Sequence, residues 1–121
     1  MALPLGGVMA CLGIAAGDLV FVSGQIPLDG ATGKLVEGDV SAQARQSLEN
    51  VGAVLDAAGI TFAHVVRTMI FLTDMADFAA VNEVYKGYVS EPYPARSTIA
   101  VAALPMGAKV EIEAIASRSA I

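Results

Sequence analysis

The sequence predicts an α+β domain in which two helices cover one face of a single sheet. Three observations predict it. Two segments, Asp39 to Ala58 and Thr73 to about Tyr88, carry one apolar stripe each at helical spacing. Short apolar or β-branched runs flank them in the order β-β-α-β-α-β-β. These runs are apolar on both faces, and two helices with one stripe each cover only one. The chain's 121 residues are enough for one domain, 1–121, with one core.

The first strand falls within Met1 to Ala16, a stretch without a charged side chain. It has no basic leading region and is interrupted by Gly6, Gly7 and Gly13, so it reads as strand rather than signal peptide. Leu19-Val20-Phe21-Val22 is a second, buried strand, closed by Ser23-Gly24-Gln25. From Ile26 to Glu37, Pro27, Asp29-Gly30 and Thr32-Gly33 mark a hairpin or irregular loop. In the first helix Val40, Ala44, Leu48, Val51, Leu55 and Ala58 form the stripe, and Gln43, Arg45, Gln46, Glu49 and Asn50 lie largely off it. Asp39 or Ser41 suits its N-cap, and Gly59 the left-handed position after its last turn. Val65 to Leu72 is a strand interrupted by Arg67 and Thr68. Thr73 or Asp74 caps the second helix, whose stripe is Phe78, Val81, Tyr85 and Tyr88. Pro92 and Pro94 enforce an extended connection. Two strands finish the chain, Arg96 to Ala103 and Lys109 to Ser117, joined by a turn around Pro105-Met106-Gly107.

Composition narrows the function classes. Hydrophobic residues make up 55% and charged residues 16%, against roughly 25% charged in typical soluble domains. No apolar run reaches the roughly 18–20 residues of a membrane span, so the surplus points to a subunit interface. The net charge of −5 and seven scattered Lys and Arg supply no basic stripe for nucleic acid. One cysteine, Cys11, and one histidine, His64, exclude an internal disulfide framework, favour a cytoplasmic location and leave too few ligands for a Cys/His metal site. Phosphate-binding glycine loops, GxSxG, HExxH and CxxC are all missing from the sequence.

Charges set in apolar strand sequence are costly unless paired or used, which singles out Arg96 and Glu111. Arg96 opens a strand and reads as a surface charge, a structural ion pair or a clamp for a carboxylate, which its planar fork suits. Glu111 and Glu113 alternate with Val110, Ile112 and Ala114, so both carboxylates share one strand face. That is either a solvated stripe or a paired-acid site. Asn82 lies beside the stripe of the second helix, and Ser23-Gly24 can bring backbone close to a ligand. His64 reads as a loop residue; Phe78, Tyr85 and Tyr88 read as core or interface.

Taken together, Pro94-Ala95-Arg96-Ser97, Leu104-Pro105 and Val110-Glu111-Ile112-Glu113-Ala114-Ile115-Ala116 resemble the signature of the RidA/YjgF family of enamine/imine deaminases. Val20 to Pro27, Gln43 to Val51 and Asp77 to Tyr85 resemble that family's strand-and-turn motif and its two helices, in the same order. The resemblance implies a chorismate-mutase-like fold and a homotrimer. Three sheets would form a central barrel with the helices outside and ligand clefts between subunits. It implies no metal or organic cofactor; nucleic acid and membrane are set aside as partners by the charge and hydropathy above. The implied reaction is hydrolysis of a 2-imino acid or its enamine tautomer, such as 2-aminoacrylate, to a 2-oxo acid and ammonia. Arg96 would grip the substrate carboxylate and Glu111 would position or activate water. The backbone at Thr98 would orient water or the imine nitrogen, and Ser23, Gly24 and Asn82 would shape the pocket.

Two positions depart from the family pattern. Thr98 stands where a cysteine is frequent, and Ala10 where a tyrosine is. A non-catalytic trimer that binds small carboxylates or partner proteins, and a deaminase of another enamine, are the alternatives. The endoribonuclease activity attached to the family name fits poorly with the acidic charge balance.

Overall fold

A computed structural model of the chain describes the backbone of residues 4–5 and 8–119, and side chains from Leu12 to Ser119. Strands β1 (Pro4–Leu5) and β2 (Val8–Cys11) pair with each other, apart from the main sheet. Strands β3 (Gly13–Ala16), β4 (Leu19–Gln25), β5 (Val65–Leu72), β6 (Ala95–Ala100) and β7 (Val110–Ser117) form a five-stranded sheet in the order β3-β4-β7-β5-β6. Every neighbouring pair is antiparallel except β5 and β6, which are parallel. Helix α1 (Val40–Ala57) connects β4 to β5, and α2 (Phe78–Tyr85) connects β5 to β6. The β-β-α-β-α-β-β order is therefore that of β3 to β7 with α1 and α2. The side chains of Ala10 and Cys11 lie outside the described residues.

Helix α1 begins where expected because the Asp39 carboxylate accepts the Ala42 amide at 3.0 Å. It ends at Gly59, which takes a φ of 77° that a side chain would strain. Its stripe is wider than the apolar spacing suggests. Gln43, expected off the stripe, is buried, because its Oε1 accepts the Lys109 amide at 2.9 Å and so ties α1 to the start of β7. Asn50 donates to the carbonyls of Ile26 and Leu28 at 3.1 and 2.9 Å and pins the loop after β4 to the helix. His64 accepts the Thr61 amide at 3.1 Å and caps a short turn, as a loop histidine would.

Three elements differ from expectation at their ends, each for a local reason. Ser23-Gly24-Gln25 does not close its strand: β4 continues to Gln25, which pairs with Ile112 beyond a register shift that follows Val22. The second helix opens with a tight turn, Met75–Asp77, capped by Asp74 on the Ala76 amide at 2.9 Å. It gives way after Tyr85 to narrower turns in which Gly87 and Tyr88 donate to Val84 and Tyr85. The strand expected to reach Ala103 stops at Ala100, because its partner β5 ends at Leu72, whose carbonyl accepts Val101 N–H as the last bond.

The core fills the space between the sheet and the helices. Leu48, Val51 and Leu55 from α1 meet Val20, Ile70, Leu72, Val110 and Ile112 from the sheet, all nearly inaccessible. The phenol of Tyr88 is pushed up to about 12 by burial and by its hydrogen bond to Glu49 of α1. Its ring meets Phe62 at 5.6 Å between centroids. Among the described residues no layer covers the other face of the sheet. Register aligns Ile14, Phe21 and Ile115 in one row across it, and Ile99, Phe71 and Glu111 in another. Ile14, Phe21 and Ile99 are 51%, 38% and 42% exposed there. No helix among the described residues is long and apolar enough to cross a membrane.

Because Leu48 is fully enclosed, Leu48→Ala is expected to cost about 2–5 kcal/mol, the range for truncated core leucines. Denaturant titration should show this as a lowered midpoint with an unchanged slope.

Candidate functional site

Arg96 sits near the start of edge strand β6, beside Thr68 of β5 in parallel register. Thr68 points into the core under α2, so Arg96 lies on the helix-covered face. There α2 surrounds it. Residues 78, 82 and 85 are four and three apart and share one side of the helix. The guanidinium carbon lies 5.4 Å from the centroid of Phe78 and 5.2 Å from that of Tyr85, within range of cation–π attraction. Arg96 Nη1 donates to Asn82 Oδ1. Because that bond uses Nη1, the Nε and Nη2 edge keeps the side-by-side donors that a carboxylate requires. Asn82, Tyr85, Lys86, Val89, Tyr93 and Arg96 line a hollow of about 440 Å³.

Thr98 follows two residues along β6 and so shares the Arg96 face. Its Oγ1 is buried and makes no hydrogen bond among the described residues.

Glu111 lies on the opposite face. It pairs with Phe71 across β5, between Val110 and Ile112, which both point under α1. Its carboxylate rests against the backbone of β4. A Cβ on Gly24 would lie 2.4 Å from Glu111 Oε1 and 2.7 Å from Cδ. Only glycine leaves that space, which gives the Ser-Gly pair a concrete role. Burial holds the Glu111 carboxyl above its ordinary value, and the Glu113 carboxylate adds to the rise. Ser23 is committed to structure: its amide and hydroxyl both donate to the Leu12 carbonyl, at 2.9 and 3.1 Å. A hollow of about 370 Å³ on this face is lined by Ile14, Phe21, Ser23, Glu113 and Ile115.

The six candidate residues thus form two groups. Arg96, Asn82 and Thr98 gather under α2 at the edge of the sheet; Glu111, Gly24 and Ser23 gather on the uncovered face. The fold of one chain does not bring the groups together. Phe78 and Tyr85 were legible only as core or interface, and Thr68 only as an interruption of its strand. The signal for Phe78 and Tyr85 was their place on the same helical side as Asn82, and for Thr68 its hydroxyl in an otherwise apolar strand. Among the described residues no three His, Cys, Asp or Glu side chains gather as a metal site requires.

Comparison with known proteins shows the family. The Endoribonuclease L-PSP family matches residues 10–118. Protein DfrA of Myxococcus xanthus is 59% identical over 103 residues, 85% of this chain and 79% of that protein. A 2-iminobutanoate/2-iminopropanoate deaminase of Salmonella typhimurium is 51% identical over 109 residues, 88% of this chain and 84% of its own length. Among solved structures, E. coli TdcF with bound serine superposes with a TM-score of 0.87 at 46% identity, over 96% of this chain and 93% of that one. The match runs over nearly the whole length, in sequence and in fold: the chain belongs to the endoribonuclease L-PSP family, the RidA/YjgF family, and has its chorismate-mutase-like α+β fold.

Proposed function

We propose that the chain is a subunit of a homotrimeric deaminase that hydrolyses 2-imino acids and their enamine tautomers to 2-oxo acids and ammonia. The observation that carries this reading is the Arg96 guanidinium, stacked on two rings, fixed at one nitrogen by Asn82 and otherwise open to a ligand. A relative at 51% identity carries the name of such a deaminase. Serine, the ligand named for TdcF, bears the same α-carboxylate as a 2-imino acid.

Arg96 grips the substrate carboxylate through two charge-assisted hydrogen bonds. Glu111, on a second copy, faces the imine carbon. Water adds to that carbon, and its proton passes through the Glu111 carboxylate to the nitrogen. The carbinolamine so formed passes its hydroxyl proton to the amine nitrogen through the same carboxylate, the carbon–nitrogen bond breaks as the carbonyl forms, and ammonia leaves with a 2-oxo acid behind. Imines hydrolyse readily, so orientation and one positioned base suffice. A carboxyl with a raised pKa is suited to both taking up and returning that proton.

The two half-sites meet when copies pack through the uncovered sheet face, where Ile14, Phe21 and Ile99 are exposed. The number three follows the family. Non-catalytic binding of small carboxylates is the competing reading, and TdcF with bound serine is the observation that favours it.

The deciding assay supplies 2-aminoacrylate from a pyridoxal-phosphate dehydratase and follows pyruvate or ammonia release. Wild type is expected to accelerate release, and Arg96→Ala to lower kcat/KM by roughly ten- to a hundredfold, the worth of charge-assisted hydrogen bonds. Equal rates for wild type, Arg96→Ala and no protein would rule the activity out. Binding that Arg96→Ala abolishes, without turnover, would establish the competing reading.

Assembly has its own test. Light scattering is expected to give about three times the 12.4 kDa chain mass. Phe21→Asp combined with Ile99→Asp should leave folded single chains without deaminase activity.

The pH dependence follows from Glu111. Its folded pKa is raised, so the folded state binds more protons than the unfolded state above the ordinary value of 4.5. The stability it contributes is complete below 4.5 and is lost as pH rises through the folded value. Urea titrations on dissociated chains should show stability falling with pH across that window, and Glu111→Gln should flatten the slope.

A further inference from the structure

The Arg96 cage has one member that is itself tied down. Tyr85 is 5% exposed, and its hydroxyl lies 2.7 Å from the hydroxyl of Thr68, a residue 1% exposed. Thr68 is the strand neighbour of Arg96. The three residues therefore close a ring: the Arg96 backbone stands beside Thr68, the Thr68 hydroxyl holds the Tyr85 phenol, and the Tyr85 ring lies 5.2 Å from the Arg96 guanidinium carbon. The core does not require this. Val65, Ile70 and Leu72 of the same strand are buried on apolar contacts alone, and a valine has the shape of threonine without a hydroxyl to desolvate. Phe78 also faces the guanidinium but is 37% exposed, and no comparable bond holds it.

We propose that Thr68 and Tyr85 are a positioning pair that fixes the plane of the Arg96 guanidinium, so that its Nε and Nη2 edge meets a carboxylate without first being ordered. The Tyr85 ring lines the same hollow as Arg96, but its hydroxyl is spent on Thr68, so the pair acts on a bound carboxylate through Arg96. A side chain ordered before binding spares the entropy of ordering it afterwards, so the effect falls on binding. This inference rests on the reading of Arg96 as a carboxylate clamp.

The test separates positioning from packing. Tyr85→Phe keeps the ring and strands the Thr68 hydroxyl, so it should lower stability as well as affinity. Adding Thr68→Val removes the stranded hydroxyl and is expected to restore the melting temperature to near the wild-type value. In that double variant KM for the imine should still be raised about tenfold, with kcat changed less than about threefold. Thr68→Ser should recover the affinity that Thr68→Val loses. Nitrogen-15 NMR of the Arg96 side chain gives a readout independent of turnover. Rotation about its Nε–Cζ bond is expected to be slow in wild type and about tenfold faster in the double variant. A double variant with wild-type rotation and wild-type KM would overturn the proposal. If wild type turns over no imine, the deaminase reading falls, and the rotation rate still decides whether the pair positions Arg96.

Discussion

Alternation along a strand is the constraint on which the rest of this molecule depends. Side chains on neighbouring positions point to opposite faces, and register places Arg96 beside Thr68 and Glu111 beside Phe71. Thr68 faces the helices and Phe71 faces away from them. The chain therefore carries an exposed cation on one face and a half-buried acid on the other, and no rotamer change joins them across a packed sheet. Each half is prepared. Among the described residues Arg96 has rings, an amide oxygen and no carboxylate. Glu111 has a glycine to lie against and a second carboxylate nearby instead of a cation. A guanidinium brought to Glu111 from another copy would offset the rise that burial and Glu113 impose on its pKa. The electrostatics of one chain are thus unbalanced in the sense that the proposed assembly would correct.

Energetics point the same way. The helix-covered face buries Leu48, Leu55, Ile70, Leu72 and Ile112 almost completely. The uncovered face leaves whole rows of apolar side chains accessible. Burying such side chains contributes about 25 cal/mol per Å², and no element among the described residues does it. Glu111 and Glu113 interrupt those rows on β7, which explains how two charges come to stand in apolar strand sequence. They make that part of the uncovered face both apolar and charged.

Much of this was legible in the residues, and what was not has physical reasons. The α1 cap at Asp39, the turn at Gly59 and the limits of β5 follow from local chemistry, and local chemistry is in the sequence. Gln43 was misplaced because its burial depends on the Lys109 amide, distant in sequence and near only in the fold. Ser23-Gly24 looked like a strand end because glycine usually is one; here it is the gap in β4 that a carboxylate from β7 occupies. Arg96 and Glu111 were identifiable as costly charges. That they occupy opposite faces was not, since it depends on the pairing of β5 with both β6 and β7. Phe78 and Tyr85 fit the apolar stripe of α2, and nothing in that pattern tells an aromatic that fills a core from one that carries a guanidinium.

Thr98 extends the argument to a position where this chain differs from the cysteine frequent in its family. A thiol is a weak donor and packs in apolar surroundings without a partner. A hydroxyl in the same place is costly to bury alone, by roughly 1–3 kcal/mol. Thr98 Oγ1 is buried and unbonded among the described residues, two positions from Arg96 and on the same face. The core itself had no need of a hydroxyl there, because Ile70 beside it is buried on apolar contacts. The exchange of thiol for hydroxyl therefore adds a polar demand beside the proposed carboxylate clamp, one that a single chain leaves unmet and that a ligand or a second copy of the chain can satisfy.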